Sequence, residues 1–180
     1  PSEDPSNYMG PVADLSQQRN VREYIEIARK EGRILVEREV PDKGCYAPLT
    51  IVEGIEPHHR IAQEEIFGPV LAVMKAKDFD QAIAIANSTR FALTGGVFSR
   101  SPRHLEKAKR EFRVGNLYLN RNNTGALVYR QPFGGFKMSG VGSKAGGPDY
   151  LLQFMDPRCV TENTMRRGFA PIADDDEWVC

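Results

Sequence analysis

Between residues 33 and 120, short β-branched runs alternate with helical stretches that carry their own start signals. That alternation restricts the chain to few folds. Residues 33–37, 50–55, 70–74, 93–99 and 115–120 read as strands. Ahead of the first, residues 20–31 place Val21, Tyr24, Ile25 and Ala28 at helical spacing, and Gly32 is a natural stop. Asp78 is a cap for a helix whose apolar face is Phe79, Ala82, Ile83 and Ala86. Ser101 and Pro102 open another, with Leu105, Ala108 and Phe112 as its buried stripe. This order predicts an α/β fold, a parallel sheet with flanking helices, built from βαβ units with right-handed crossovers.

The periodicity stops after Asn120. Roughly thirty residues rich in Gly, Asn and Pro follow, and a loop of that length in a compact domain is usually functional or disordered. Residues 159–165 alternate weakly and read as a final strand, whose open edge predicts self-association. The run Asp174-Asp175-Asp176-Glu177 is expected to be a solvated, mobile tail.

Charge and cysteine usage exclude several classes of function. Lysine plus arginine equals aspartate plus glutamate, at 24 each, so no field of one sign points to nucleic acid or a membrane surface. No apolar run has the length to span a bilayer, and no secretory signal is visible. Three cysteines, Cys45, Cys159 and Cys180, are odd in number and widely spaced, which fits a reducing compartment. A cytoplasmic location is expected, with the mitochondrial matrix as the alternative. The opening at Pro1, without methionine and with a polar lead, predicts a piece of a longer protein.

The stretch Gln63-Glu64-Glu65-Ile66-Phe67-Gly68-Pro69-Val70 carries the most chemical information. Two carboxylates and an aromatic ring stand immediately before an apolar run. Carboxylates at a strand entrance can hold the vicinal hydroxyls of a ribose, and the ring can pack on a flat heterocycle. That suits a nucleotide cofactor. The same residues also suit an exposed helical turn closed by a Gly-Pro break, and spacing alone leaves both open.

This stretch resembles the coenzyme-contacting motif of the aldehyde dehydrogenase superfamily. Tyr8-Met9-Gly10-Pro11-Val12 upstream resembles that family too, as does the entry to the strand at 50–55 from Gly44 to Pro48. So do Ala92-Leu93-Thr94-Gly95-Gly96-Val97 and Gln131-Pro132-Phe133-Gly134-Gly135-Phe136-Lys137-Met138-Ser139-Gly140 downstream. The likeness runs from about Asn7 to about Thr164. Thr124-Gly125-Ala126, followed by Arg130-Gln131-Pro132 and by Lys144-Ala145-Gly146-Gly147-Pro148, narrows it to the 1-pyrroline-5-carboxylate (glutamate semialdehyde) dehydrogenases.

The resemblance implies residues 1–157 as part of a catalytic domain, 158–170 as an oligomerisation strand and 171–180 as the tail. It implies a homo-oligomer acting on a small aldehyde with NAD, NADP not being excluded. Glu65 would hold the ribose on the nicotinamide side and Phe67 would flank that ring. Backbone N–H groups of Gly125 and Ala126 would hold the substrate carboxylate, with Phe133 against its aliphatic part. Small residues expose their amides, and consecutive amides form an anion nest. An ordinary turn of small residues is the competing reading. Tyr129 stands where the pattern has glycine, which keeps an aldehyde dehydrogenase for another substrate open. A non-catalytic binding or assembly domain and a bifunctional proline-oxidising parent are the further alternatives.

Other candidates carry less. The Gly135 to Gly140 stretch lacks the Lys-Ser/Thr of a phosphate loop, and its glycines read as an aid to tight packing beneath the active site. Cys45 sits in the wrong context for the family's nucleophile, which would lie upstream of this chain, and no catalytic residue is assigned within it. Neighbouring His58 and His59 diverge if extended, and no metal set is evident. His104 is expected on the surface.

Overall fold

The computed structural model describes residues 3–7 and 9–164. The first helix, α1 (Leu15–Glu31), starts five residues earlier than apolar spacing alone predicts. Its start lies in Asp14, whose carboxylate accepts the backbone N–H of Gln17 at 2.8 Å. Arg29 and Lys30 sit in the last turn, where the helix dipole favours cations, and the Gly32 N–H closes on the Ala28 carbonyl at 2.8 Å. Val21, Ile25 and Ala28 form the buried stripe.

That stripe packs on a three-stranded sheet ordered β1 (Arg33–Glu37), β2 (Thr50–Glu53) and β3 (Val70–Val73). The sheet is mixed rather than purely parallel. β2 and β3 run parallel, but β1 pairs with β2 antiparallel, with an irregularity between Ile34 and Val36. A connection of about a dozen residues between β1 and β2 carries no helix to cross the sheet, so the chain simply turns back. Ion pairs of Arg33 with Glu53 and of Arg29 with Glu37 flank this antiparallel edge. A single helical turn, α2 (Arg60–Gln63), lies between β2 and β3.

The second half forms separate pairings. α3 (Phe79–Asn87) begins at Asp78, which accepts the Gln81 N–H at 2.7 Å. α4 (Pro102–Glu111) begins at Ser101 with proline in its first turn. It bridges β5 (Thr94–Val97) and β6 (Asn116–Leu119), which are parallel as expected. Ile83, Val97 and Ala108 are buried together between these elements. Two short strands, β4 (Phe91–Ala92) and β7 (Phe136–Lys137), pair antiparallel and tie the long glycine-rich loop back to the chain after α3.

That loop is ordered by contacts rather than by periodicity. Asn116 on β6 gives a side-chain N–H to the Pro132 carbonyl at 3.0 Å and accepts the Gly134 N–H at 3.2 Å. Phe133 and Ala145 exchange both backbone hydrogen bonds at 2.9 Å. Gly115 is where this docking requires glycine: a Cβ there would stand 1.8 Å from the Gly134 carbonyl oxygen.

Residues 159–164 form no strand. They are exposed throughout, Val160 to 71%, and no described strand lies beside them to complete a ladder. Met165, the acidic run and Cys180 lie outside the described residues. A short 3₁₀ helix (Tyr150–Phe154) precedes this extended segment.

Val52 is fully buried between α1 and α2, in contact with Ala28, Ile55 and Ile61. Val52→Ala is expected to destabilise the chain by about 2 kcal/mol, since the cavity cannot collapse between two anchored helices. Urea denaturation followed by circular dichroism checks this.

Candidate functional site

The residues from Arg60 to Phe67 run antiparallel to α1, and one face of that helix holds them along their length. At the C-terminal end of α1, the Glu31 carboxylate accepts the N–H groups of Arg60 and Ile61 at 3.0 and 3.1 Å. It satisfies the start of α2, whose own N-cap, His59, makes no capping bond. Two turns back, the Tyr24 hydroxyl donates to Glu64 at 2.7 Å. Two turns further, the Gln17 side-chain amide donates to the carbonyls of Ile66 at 2.7 Å and Phe67 at 2.9 Å. Asn20 adds a second donor to Ile66 at 3.2 Å. Residues 17, 24 and 31 recur every seven positions, which places them on one helix face.

Glu64 is fully engaged. The Arg60 guanidinium holds it with contacts of 2.8 and 3.1 Å, and Tyr24 holds it from α1. Those hydrogen bonds, Arg60 first, keep its carboxyl below the ordinary glutamate value, while the carboxylate pushes the Tyr24 phenol up. Glu65 is the opposite case. Its side chain is exposed and has no hydrogen bond or ion pair with the described residues.

Phe67 has φ +52°, a left-handed backbone that an aromatic residue takes at a cost of about 1–2 kcal/mol. Its ring is 77% exposed. Three residues before it the backbone is extended at Glu64, so the helical turn ends at Gln63 and does not contain Glu65 or Phe67. Gly68 follows, where a Cβ would stand 2.3 Å from Val21 of α1. Only glycine allows the segment to approach the helix this closely. A cleft of about 550 Å³ opens alongside, lined among others by Met9, Val12, Asp14, Gln17, Phe67 and Pro69. The site therefore presents an unpaired carboxylate and an open ring on a backbone fixed from behind.

The second candidate, around Gly125, is a separate loop. Gly125 has φ +77°, and the N–H groups of Gly125 and Ala126 have no acceptor among the described residues. Arg121 donates to the Thr124 carbonyl at 3.0 Å while its guanidinium lies 5.0 Å from the Tyr118 ring centre. Tyr118 itself is buried, and its hydroxyl has no hydrogen-bond partner among the described residues. Phe133, 39% exposed, lies further along the same loop. Tyr129 has φ +62° and donates its N–H to Gly146 at 2.8 Å. This explains why the pattern has glycine there: the position is left-handed. The tyrosine ring is 77% exposed, so the turn is kept and the side chain goes to solvent.

The remaining candidates fall into place. The Lys137 ammonium donates to the carbonyls of Asn87 and Thr89 at 2.7 and 2.8 Å, so it closes the C-terminal end of α3 rather than a phosphate. Cys45 is half-buried in the loop before β2, its carbonyl bonded to Val12, and Cys159 is exposed. His58 and His59 do not diverge. The chain turns here, the His59 N–H reaching the Glu56 carbonyl and the Glu56 N–H reaching His59 Nδ1, so the rings stand 4.6 Å apart. Glu56 joins them, and the three offer ligand atoms within 4.8 Å of one another, with one ring nitrogen already occupied. His104 is half-buried, stacked on Phe79 at 4.2 Å, because α4 packs against α3. No helix among the described residues is long and apolar enough to cross a membrane.

The described residues thus form a mixed α/β unit with a helix-braced segment that presents an exposed carboxylate, a group suited to vicinal hydroxyls, and a separate loop with two consecutive open amides, a group suited to an anion. Residues 1–160 match the aldehyde dehydrogenase family, and the chain belongs to it. It is 56% identical over 160 residues to 1-pyrroline-5-carboxylate dehydrogenase from Geobacillus sp. (strain WCH70), covering 88% of this chain and 31% of that protein. Among solved structures, 1-pyrroline-5-carboxylate dehydrogenase from Thermus with bound NAD superposes with a TM-score of 0.79 at 51% identity, over 82% of this chain and 29% of that one. Proline utilization A from Bdellovibrio bacteriovorus gives 0.88 at 57% identity, over 96% and 18%. The chain thus spans about a third or less of the length of these relatives.

Tyr129→Gly should leave the fold intact and raise stability by up to about 1 kcal/mol, because it removes the left-handed cost without losing buried contact. Chemical denaturation measures it. For Glu64 the sign follows from its lowered value: the stabilisation is present above the unfolded-state value and is lost as pH falls through the folded one. A carboxyl NMR titration should place its midpoint below that of unfolded glutamate, and Arg60→Gln should move it upward.

Proposed function

We propose that this chain is a segment of an NAD-dependent dehydrogenase that oxidises glutamate semialdehyde, the open form of 1-pyrroline-5-carboxylate, to glutamate. The observation that carries the reading is Glu65. The Glu64 side chain before it and the Ile66 and Phe67 carbonyls after it are engaged, while its own carboxylate is exposed and unbonded among the described residues, two positions before a ring that lines a cleft. A carboxylate is a strong acceptor for two vicinal hydroxyls. The fit to the coenzyme rests on that group and on the exposed Phe67 ring beside it.

When bound, the coenzyme supplies the acceptor for the hydride. In this family's chemistry a thiolate adds to the aldehyde, hydride leaves the adduct, and water cleaves the thioester to the acid. This chain's residues bind and orient. Glu65 fixes the ribose and Phe67 limits the movement of the flat ring. Gly125 and Ala126 donate their free N–H groups to the substrate carboxylate, with Phe133 against its methylenes. The thiolate and the general base are assigned to residues outside this chain, since Cys45, in the loop before β2, stands in the wrong motif context for the nucleophile. A homo-oligomer is the state this reading carries. Exposed Leu151, Leu152, Phe154 and Met155 just before the proposed oligomerisation segment, and Val160 within it, support it.

In the full-length dehydrogenase, Glu65→Gln is expected to weaken coenzyme use roughly tenfold to a hundredfold, as a lost charged hydrogen bond would. Steady-state kinetics in coenzyme concentration check it, and unchanged constants would remove Glu65 from the site. The 180-residue chain by itself should produce no reduced coenzyme from glutamate semialdehyde. Turnover that disappears in Cys45→Ala would contradict this.

A further inference from the structure

We infer that the polar face of α1, through Gln17 with Asn20, positions the coenzyme clamp, so that Gln17 is a positioning residue for Glu65 and Phe67. The inference rests on the coenzyme reading of those two residues and adds a cause for their geometry.

Phe67 is held left-handed, and nothing in its own side chain requires this, because the ring is open to solvent. The backbone must therefore be held by its neighbours. The carbonyls on either side of the Phe67 Cα, those of Ile66 and of Phe67 itself, are the handles. One carboxamide, that of Gln17, donates to both of them, and Asn20 reinforces the first. Gly68 sets the distance, since the segment sits against Val21 where no Cβ fits. Upstream, the Glu64 side chain is drawn toward Tyr24 and Arg60, and in extended backbone the next side chain points the other way. Glu65 and Phe67 thus owe their exposure to bonds made by residues that do not flank them in sequence. Fixing a binding group from behind lowers the ordering cost when ligand arrives.

Gln18 supplies an internal comparison. Its carboxamide also donates to two carbonyls, those of Gly44 at 3.3 Å and Tyr46 at 2.7 Å, but in the loop before β2. Gln17→Met and Gln18→Met therefore remove the same chemistry from the same helix, onto different targets. Both variants, and Glu65→Gln, would be made in the full-length dehydrogenase and assayed for KM of NAD, KM of the aldehyde, kcat and melting temperature. Gln17→Met should raise KM for NAD about tenfold while KM for the aldehyde stays within twofold. Gln18→Met should lower the melting temperature about as much as Gln17→Met does, since each loses two hydrogen bonds, and leave KM for NAD unchanged. Gln17→Asn, which keeps a donor on a shorter arm, should recover part of the loss. Equal effects of Gln17→Met and Gln18→Met on KM for NAD would show a merely structural role and overturn the inference. So would an unchanged KM for NAD in Gln17→Met when Glu65→Gln raises it. If Glu65→Gln also leaves KM for NAD unchanged, the coenzyme reading falls and the inference with it.

Discussion

The row of hydrogen bonds between α1 and residues 60–67 is the contact on which the candidate site depends. It starts at Glu31, passes through Tyr24 and ends at Gln17, and it meets the segment at α2, at Glu64 and at the Ile66 and Phe67 carbonyls. Its donors and acceptors come from a face of the helix next to the apolar stripe of Val21, Ile25 and Ala28. The helix is thus placed by its apolar side and places the segment by its polar one. These bonds are partly exposed, so each contributes modestly to stability. Their larger effect is directional: they select one backbone path, including a left-handed Phe67 that an isolated peptide would avoid.

The second loop uses a different device. It has no helix behind it, and its order comes from β6, through Asn116, and from the small β4–β7 pairing. Gly115 and Gly125 serve distinct ends there, close approach at the first and a left-handed turn at the second. A short exchange between Phe133 and Ala145 holds the loop's far side. The two candidate regions are therefore built on separate supports, helix face and strand edge.

Much of this was legible beforehand, for identifiable reasons. The helices announced themselves through Asp78 and Ser101, side chains that cap by local geometry alone. β5 and β6 were recognisable because a capped helix of ten residues separates two β-rich runs. Motif likeness pointed to Glu65, Phe67, Gly125, Ala126 and Phe133. Pattern reading missed what depends on partners distant in sequence. β1 turns antiparallel because of how its connection runs, which strand composition does not encode. The turn at Glu56 brings two histidines together that an extended reading separates. Residues 159–164 carry weak alternation but find no strand to pair with among the described residues. The brace on α1 left one trace, a polar repeat at 17, 24 and 31, which looks like a solvated face until the segment it holds is in view.

A crystal structure of the full-length dehydrogenase with NAD bound tests the central claim most directly. The account predicts the Glu65 carboxylate within hydrogen-bonding reach of both hydroxyls of one ribose, about 2.6–3.0 Å. It also predicts Phe67 beside the nicotinamide, still left-handed, with Gln17 still bonded to the carbonyls of Ile66 and Phe67. A ribose held elsewhere, or Glu65 turned to solvent with Gln17 released from those carbonyls, would contradict it.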